Sequence, residues 1–279
     1  MKRNKNFNNE PLLYLIATPI GNLKEMTPRA LEVLSSCDLV AAEDTRNSGN
    51  LLKLFNICKP FYSLREHNES EASEYIIKQI KDGKKVCYMS DAGYPGISDP
   101  GNILVKKCIE EDIHVSAING SSAFINALVC SSLPTNHFYF HGFLSPKESE
   151  ASKELEEIKS KKETIIFYES PHRIIDTLKL IFKIVGDRKI VLARELTKLN
   201  EEFIFGTTKE LSEIDPNSIK GEMVIILEGN NQESSVDDKE LIDRVSYFVD
   251  KGLTKKDAIE VVSDEYKINK NYIKDLIMR

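Results

Sequence analysis

The apolar run Val86-Cys87-Tyr88-Met89 gives way to Ser90-Asp91-Ala92-Gly93-Tyr94-Pro95-Gly96-Ile97-Ser98-Asp99-Pro100-Gly101, twelve residues holding three Gly, two Pro and two Asp. A turn needs one or two such residues. Glycine also lets a ligand approach the main chain closely, so the surplus suits a loop shaped around a small molecule. Three other segments have the same character: Thr18-Pro19-Ile20-Gly21-Asn22-Leu23, Glu43-Asp44-Thr45-Arg46-Asn47 and Asn119-Gly120-Ser121-Ser122. Their chemistry is amides, carbonyls and carboxylates with few basic groups, which suits a flat, polar, nucleoside-like ligand without phosphates. A Gly-x-Gly-x-x-Gly fingerprint and a P-loop are both absent, as is the Gly-x-Ser-x-Gly of a serine hydrolase. The five cysteines lie more than twenty residues apart with no Cys-x-x-Cys, and no metal-ligand spacing occurs, so neither a disulfide framework nor a metal site is expected. All five have apolar neighbours and are read as buried, reduced thiols.

Regular elements must position these loops. Leu12–Ala17, Asp38–Ala42, Val86–Met89 and Ile113–Ile118 read as short buried strands, and each runs into one of the four unusual segments. Between them lie helical patterns. Thr27 is the expected N-cap and Pro28 the first residue of one helix. Others are expected over 48–55 and 71–82, from Asp99 as cap with Pro100 at the first turn, and over 121–131. Strand–helix alternation of this kind predicts a mostly parallel sheet covered on both faces, with ligands bound off the carboxyl ends of its strands.

After Pro134 the pattern changes. Strands are expected at 138–143, 164–168, 189–194, 202–205 and 222–227 with fewer helices between them, which suits a mixed sheet. Helices are expected over 147–162 and from Ser170-Pro171 onward. The expected organisation is a disordered tail (1–11), an N-terminal α/β domain (12–133), a C-terminal α/β domain (134–229), and a linker with a helical extension (230–279). The polar start has no secretory h-region, and no stretch of about 18 apolar residues suggests a membrane span, so a cytoplasmic protein is expected. The net charge of −6 over 279 residues offers no general attraction to nucleic acid; an RNA substrate would require a local basic patch.

The segments LYLIATPIGNLKEMTPRALEVLSSCDLVAAEDTRNSGNLL, SDAGYPGISDPG, FYESPHR, ARELTK and GEMVIILEG resemble, in order and spacing, the small-subunit rRNA (cytidine-2′-O-)-methyltransferases of the tetrapyrrole methylase superfamily. The resemblance spans about Leu12 to Gly229. It implies two α/β domains with S-adenosylmethionine (AdoMet) in the cleft between them, a homodimer, and methylation of a cytidine ribose in the decoding region of 16S rRNA, on free RNA or the small ribosomal subunit. Carried over by position, Pro19, Ile20, Gly21, Asp91, Gly93, Tyr94, Pro95, Gly96, Ser121, Ser122, Ala123, Tyr168, Glu222 and Met223 are the implied cofactor residues. The sequence departs from the family pattern at two places: Tyr94 stands where the family usually has Thr, and Asn119 where it usually has Pro.

A ribose hydroxyl is weakly acidic, so a general base or a cation at the developing alkoxide would assist transfer. Glu43, Asp44 and Arg46, at a strand end, are the catalytic candidates, although acids there also suit a plain helix N-terminus. His67, Arg173 and Arg194 are candidates for RNA contact. Their competing roles are a solvated loop histidine, a first-turn ion pair with Glu169, and an ion pair at a strand end. Two further functions stay open: methylation of a small molecule such as a tetrapyrrole, and a non-catalytic RNA-binding role in ribosome assembly.

Overall fold

The computed structural model describes residues 12–231, 238–266 and 268–278. The tail expected over 1–11 and most of the linker expected after Gly229 lie outside the described residues. The chain forms one compact unit up to Gly229 and a second from Asn230.

The first half of the larger unit contains β1 (Leu12–Ile16), α1 (Pro28–Ser36), β2 (Leu39–Ala42), α2 (Thr45–Leu54), β3 (Phe61–Ser63), α3 (Glu69–Lys81), β4 (Val86–Met89), α4 (Asn102–Glu110), β5 (His114–Ile118) and α5 (Ala123–Cys130). Its five strands form one sheet in the order β3-β2-β4-β1-β5, every pair parallel. Successive side chains point to opposite faces. Leu13, Val86 and Tyr88 therefore pack with Ile76, Ile80 and Leu104 of α3 and α4, while Ile16, Cys87 and Met89 pack with Val33, Leu34 and Leu52 of α1 and α2. Because β2, β4, β1 and β5 are neighbours and parallel, the segments that follow them open at one edge of the sheet. The strand order thus gathers the four unusual loops.

The second half contains β6 (Phe138–Phe143), α6 (Glu148–Ile158), β7 (Thr164–Glu169), α7 (Ile174–Val185), β8 (Lys189–Arg194), β9 (Glu202–Thr207), α8 (Thr208–Ser212) and β10 (Met223–Leu227). These strands form a mixed sheet, β6-β7-β10-β8-β9, in which β6 and β7 are parallel and the other pairs antiparallel. One face carries α6 and α7 through Leu155, Ile174, Leu178 and Ile181. The other is covered by α5, whose Ala127 and Leu128 pack on Ile166, Val191 and Ile226. A helix encoded in the first half thus closes the core of the second. The expected α/β architecture, parallel then mixed, is the one observed. The smaller unit is three helices, α9 (Asp238–Asp250), α10 (Lys255–Tyr266) and α11 (Lys270–Met278), around Leu241, Val245, Ala258, Val262 and Ile273. Among the described residues no helix is long and apolar enough to cross a membrane.

Several local expectations need correction. Thr27 caps α1 as expected, accepting a hydrogen bond from the Ala30 amide at 3.1 Å, but α4 does not start at Asp99-Pro100. Its N-cap is Gly101, at φ +137°, a conformation that favours glycine. The helix amides are instead capped from α3: buried Glu69 Oε1 accepts hydrogen bonds from the amides of Gly101 and Ile103 at 2.8 Å each and of Leu104 at 3.4 Å. Likewise α7 begins at Ile174 rather than Pro171, and no strand was expected where β3 lies. Cys37, Cys87 and Cys108 are buried, but Cys58 and Cys130 are exposed.

Candidate functional site

Two loops are joined across the end of the parallel sheet. Thr18 and Gly93 form an antiparallel bridge, the Thr18 amide donating to the Gly93 carbonyl at 2.9 Å and the Gly93 amide to the Thr18 carbonyl at 3.0 Å. Thr18 is fully buried, and its hydroxyl donates to the Ser90 carbonyl. Gly93 adopts φ +78°, the left-handed region in which a Cβ is disfavoured. On the far side of β1, Gly120 lies so close to Ala17 that a Cβ would stand 2.8 Å from the Ala17 carbonyl oxygen. These two glycines let three loops converge.

Between these loops and the second sheet lies a cleft of about 440 Å³. Ile20, Ala123, Phe124, Phe143, Tyr168, Leu196, Met223 and Val224 supply apolar and aromatic wall. Burial pushes the Tyr168 hydroxyl up to about 12, and its ring packs edge-on against Phe140 at 5.1 Å. Five carboxylates also line the cleft: Glu43, Asp91 and Asp99 from the first half of the unit, and Glu169 and Glu222 from the second. Burial, followed by the Asp91 charge, raises the Glu43 pKa. Burial and then the Glu43 charge raise Asp99 to about 6. No Lys or Arg is among the described residues of the lining. Nor, among the described residues, are three His, Cys, Asp or Glu side chains grouped closely enough to hold a metal ion. The lining therefore combines apolar wall with carboxylates, complementary to an uncharged ring carrying a cationic group.

Of the residues singled out in the sequence, Ile20, Asp91, Gly93, Tyr94, Ser122, Ala123, Tyr168, Glu222 and Met223 line the cleft, whereas Pro19, Gly21, Pro95, Gly96 and Ser121 do not. Of the last group, Pro95 and Ser121 are buried, and the Ser121 hydroxyl donates to Glu25 at 2.6 Å. Among the catalytic candidates only Glu43 reaches the cleft. Asp44 is the N-cap of α2; its carboxylate accepts from the amides of Arg46 and Asn47, bonds that lower its pKa. Arg46 is exposed on the first turn of α2. His67 is exposed in a single 3₁₀ turn beyond β3. Arg173 donates to the carbonyls of Leu144 and Ser145 and pairs with Glu169. Arg194 is held by Glu202 and the Lys220 carbonyl. None of these three lines the cleft.

Asp99 is the cleft residue whose role the sequence hides, because Asp-Pro is a strong helix-start signal and the carboxylate was assigned to capping. Its protonation makes a testable difference. The folded state holds the Asp99 proton more tightly than the unfolded chain does, so this group's contribution falls as pH rises from about 4 to 6. Asp99→Asn should therefore be more stable than the parent at pH 7.5, by about 1 kcal/mol once screening by the solvent it faces is allowed for. The difference should vanish near pH 4; thermal midpoints at both values would check it, and a gain that persists at pH 4 would contradict the electrostatic cause.

Two parallel-then-mixed layers with the cleft at their strand ends define the class. Residues 12–212 match the tetrapyrrole (corrin/porphyrin) methylase family, and the chain belongs to it. It is 40% identical to ribosomal RNA small subunit methyltransferase I of Bacillus subtilis (strain 168), covering 99% of this chain and 98% of that one. It is 44% identical to the Haemophilus influenzae protein of the same name, over 93% and 94% of the two chains. Among solved structures, the methyltransferase CobJ shares the fold, with TM-score 0.58 and 14% identity over 78% of this chain and 94% of that one.

Proposed function

We propose that the protein is an AdoMet-dependent methyltransferase of small-subunit rRNA that methylates the 2′-hydroxyl of a cytidine in the decoding region. Identity of 40–44% along nearly the whole chain to proteins named for small-subunit rRNA methylation carries this reading. The cleft fits the cofactor: its apolar wall suits an adenine ring, and its carboxylates, with no Lys or Arg among the described lining residues, suit a sulfonium and would repel phosphate.

AdoMet, when bound, supplies a methyl group on a positively charged sulfur. The chain's residues must align that methyl with the acceptor oxygen, and alignment alone removes much of the barrier. Ile20, Gly93, Ala123 and Met223 would shape the ligand's bed, with Asp91 facing its charged part. Asp99, raised to about 6, is a carboxylate of suitable basicity to take the hydroxyl proton, and Glu43, also raised by burial, lines the same cleft. Asp44 positions Glu43 by fixing the start of α2. Mass spectrometry of rRNA from a strain lacking the protein should show one ribose-methylated cytidine missing from the small subunit. An unchanged methylation pattern would refute the rRNA role, and calorimetry showing no AdoMet binding would favour a non-catalytic one.

A further inference from the structure

Tyr94 and Asn119, on the loops that follow β4 and β5, touch each other. The Tyr94 hydroxyl donates to Asn119 Oδ1 at 3.3 Å and accepts from the Gly120 amide at 3.2 Å. One oxygen thereby joins the loop after β4 to the loop after β5, across the end of β1 that separates those strands. Both loops are otherwise anchored to their surroundings. Gly93 is bridged to Thr18, the Thr27 hydroxyl donates to the Asn119 carbonyl at 3.3 Å, and Ser121 is bonded to Glu25. Tyr94 also lines the cleft, so the residue that makes the strap is part of the cleft wall. Tyrosine suits this task, since its rigid ring holds the hydroxyl at a fixed reach with only two side-chain torsions to order.

We propose that Tyr94 is a positioning residue for the bound cofactor: acting through Asn119 and Gly120, its hydroxyl fixes the width of the cleft between the Asp91–Gly96 and Asn119–Ala123 loops. This rests on the reading of the cleft as the AdoMet site. Preorganising two loops before binding spares the ligand the cost of ordering them, so the strap shows itself in affinity rather than in the chemical step. Tyr94→Phe keeps the ring and removes both hydrogen bonds. Asn119→Ala removes one acceptor, and Asn119→Asp keeps an oxygen at that place.

The experiment is AdoMet titration calorimetry on the full chain and its variants, paired with steady-state methylation of small subunits that lack the modification. Tyr94→Phe is expected to weaken AdoMet binding about tenfold. KM for AdoMet should rise by a similar factor, with kcat at saturating AdoMet changed less than twofold. Asn119→Ala should weaken binding severalfold, Asn119→Asp should restore most of it, and the Tyr94→Phe/Asn119→Ala pair should be little worse than Tyr94→Phe alone, since the two act as one unit. A thermal midpoint that falls in Tyr94→Phe with AdoMet affinity unchanged would show a purely structural bond and overturn the assignment. Independent, additive losses would overturn it as well. A parent protein that binds no AdoMet would overturn the reading of the cleft, and the role of Tyr94 with it; a parent that binds while Tyr94→Phe binds equally well leaves that reading standing and removes the strap alone.

Discussion

Gly93→Val is expected to abolish AdoMet binding, at least a hundredfold loss, while the protein still unfolds in one cooperative transition. Gly93 sits at φ +78° with both its amide and its carbonyl bonded to Thr18. A β-branched residue in that region is strained by about 1–3 kcal/mol. The Cβ itself would meet Ile20 Cγ2 at 3.7 Å and the Ser121 carbonyl at 3.9 Å, ordinary contact distances. The added methyls, however, have to enter the space between those groups, which belong to the two loops facing Gly93. Relief requires breaking the Thr18 bridge or moving the loops apart, and either change reshapes the cleft. The cores of the two sheets lie elsewhere, so cooperativity should survive. Calorimetric titration with AdoMet, alongside urea unfolding, tests both halves. Binding retained within threefold of the parent would mean that the cofactor does not lie over Gly93.

Glu69→Ala is expected to be the most destabilising single substitution among the surface-proximal polar residues, by about 3 kcal/mol. One carboxylate oxygen accepts three amide hydrogen bonds at the start of α4, where an anion also meets the positive end of the helix. Alanine leaves those amides without their acceptor in a buried place and frays the turn that follows Asp99 and Gly101. Glu69→Gln keeps an acceptor but not the charge and should cost about 1 kcal/mol. Urea midpoints at constant slope would measure both. Equal losses for Ala and Gln would show that charge, rather than hydrogen bonding, holds the helix start.

Much of this architecture is legible in the sequence because each feature is local. The four apolar residues Val86–Met89 mark a strand buried on both faces, Thr27-Pro28 marks a helix start, and the Gly- and Pro-rich loops stand out against both. What escapes is set by residues distant in sequence. The cap of α4 comes from Glu69, more than thirty residues before it, so the local reading gave capping to Asp99 and removed a cleft carboxylate from view. Arg173 and Arg194 read as candidates for RNA contact or for local ion pairs; they pair with Glu169 and Glu202, and the carbonyls of Leu144, Ser145 and Lys220, which no local pattern announces, also hold them. β3 is three half-buried residues at a sheet edge, too short for a period-two pattern to register. Phe124 and Phe143 carry no local signal of a site, and only the meeting of two sheets makes them cleft wall.

The placement of α5 on the second sheet has a consequence for how the chain is made. As synthesis proceeds from the N-terminus, the parallel sheet can be completed once β5 has emerged, but the apolar side of α5 must wait for its cover. That cover includes β10, which lies between β7 and β8 and is the last strand of the larger unit to be made. Pairings of such long sequence separation form slowly. Met223 and Val224, which open β10, are also cleft residues, so a nascent chain has no complete binding site until nearly the whole larger unit has been translated. The cleft is thus completed late, together with the burial of the helix that joins the two sheets.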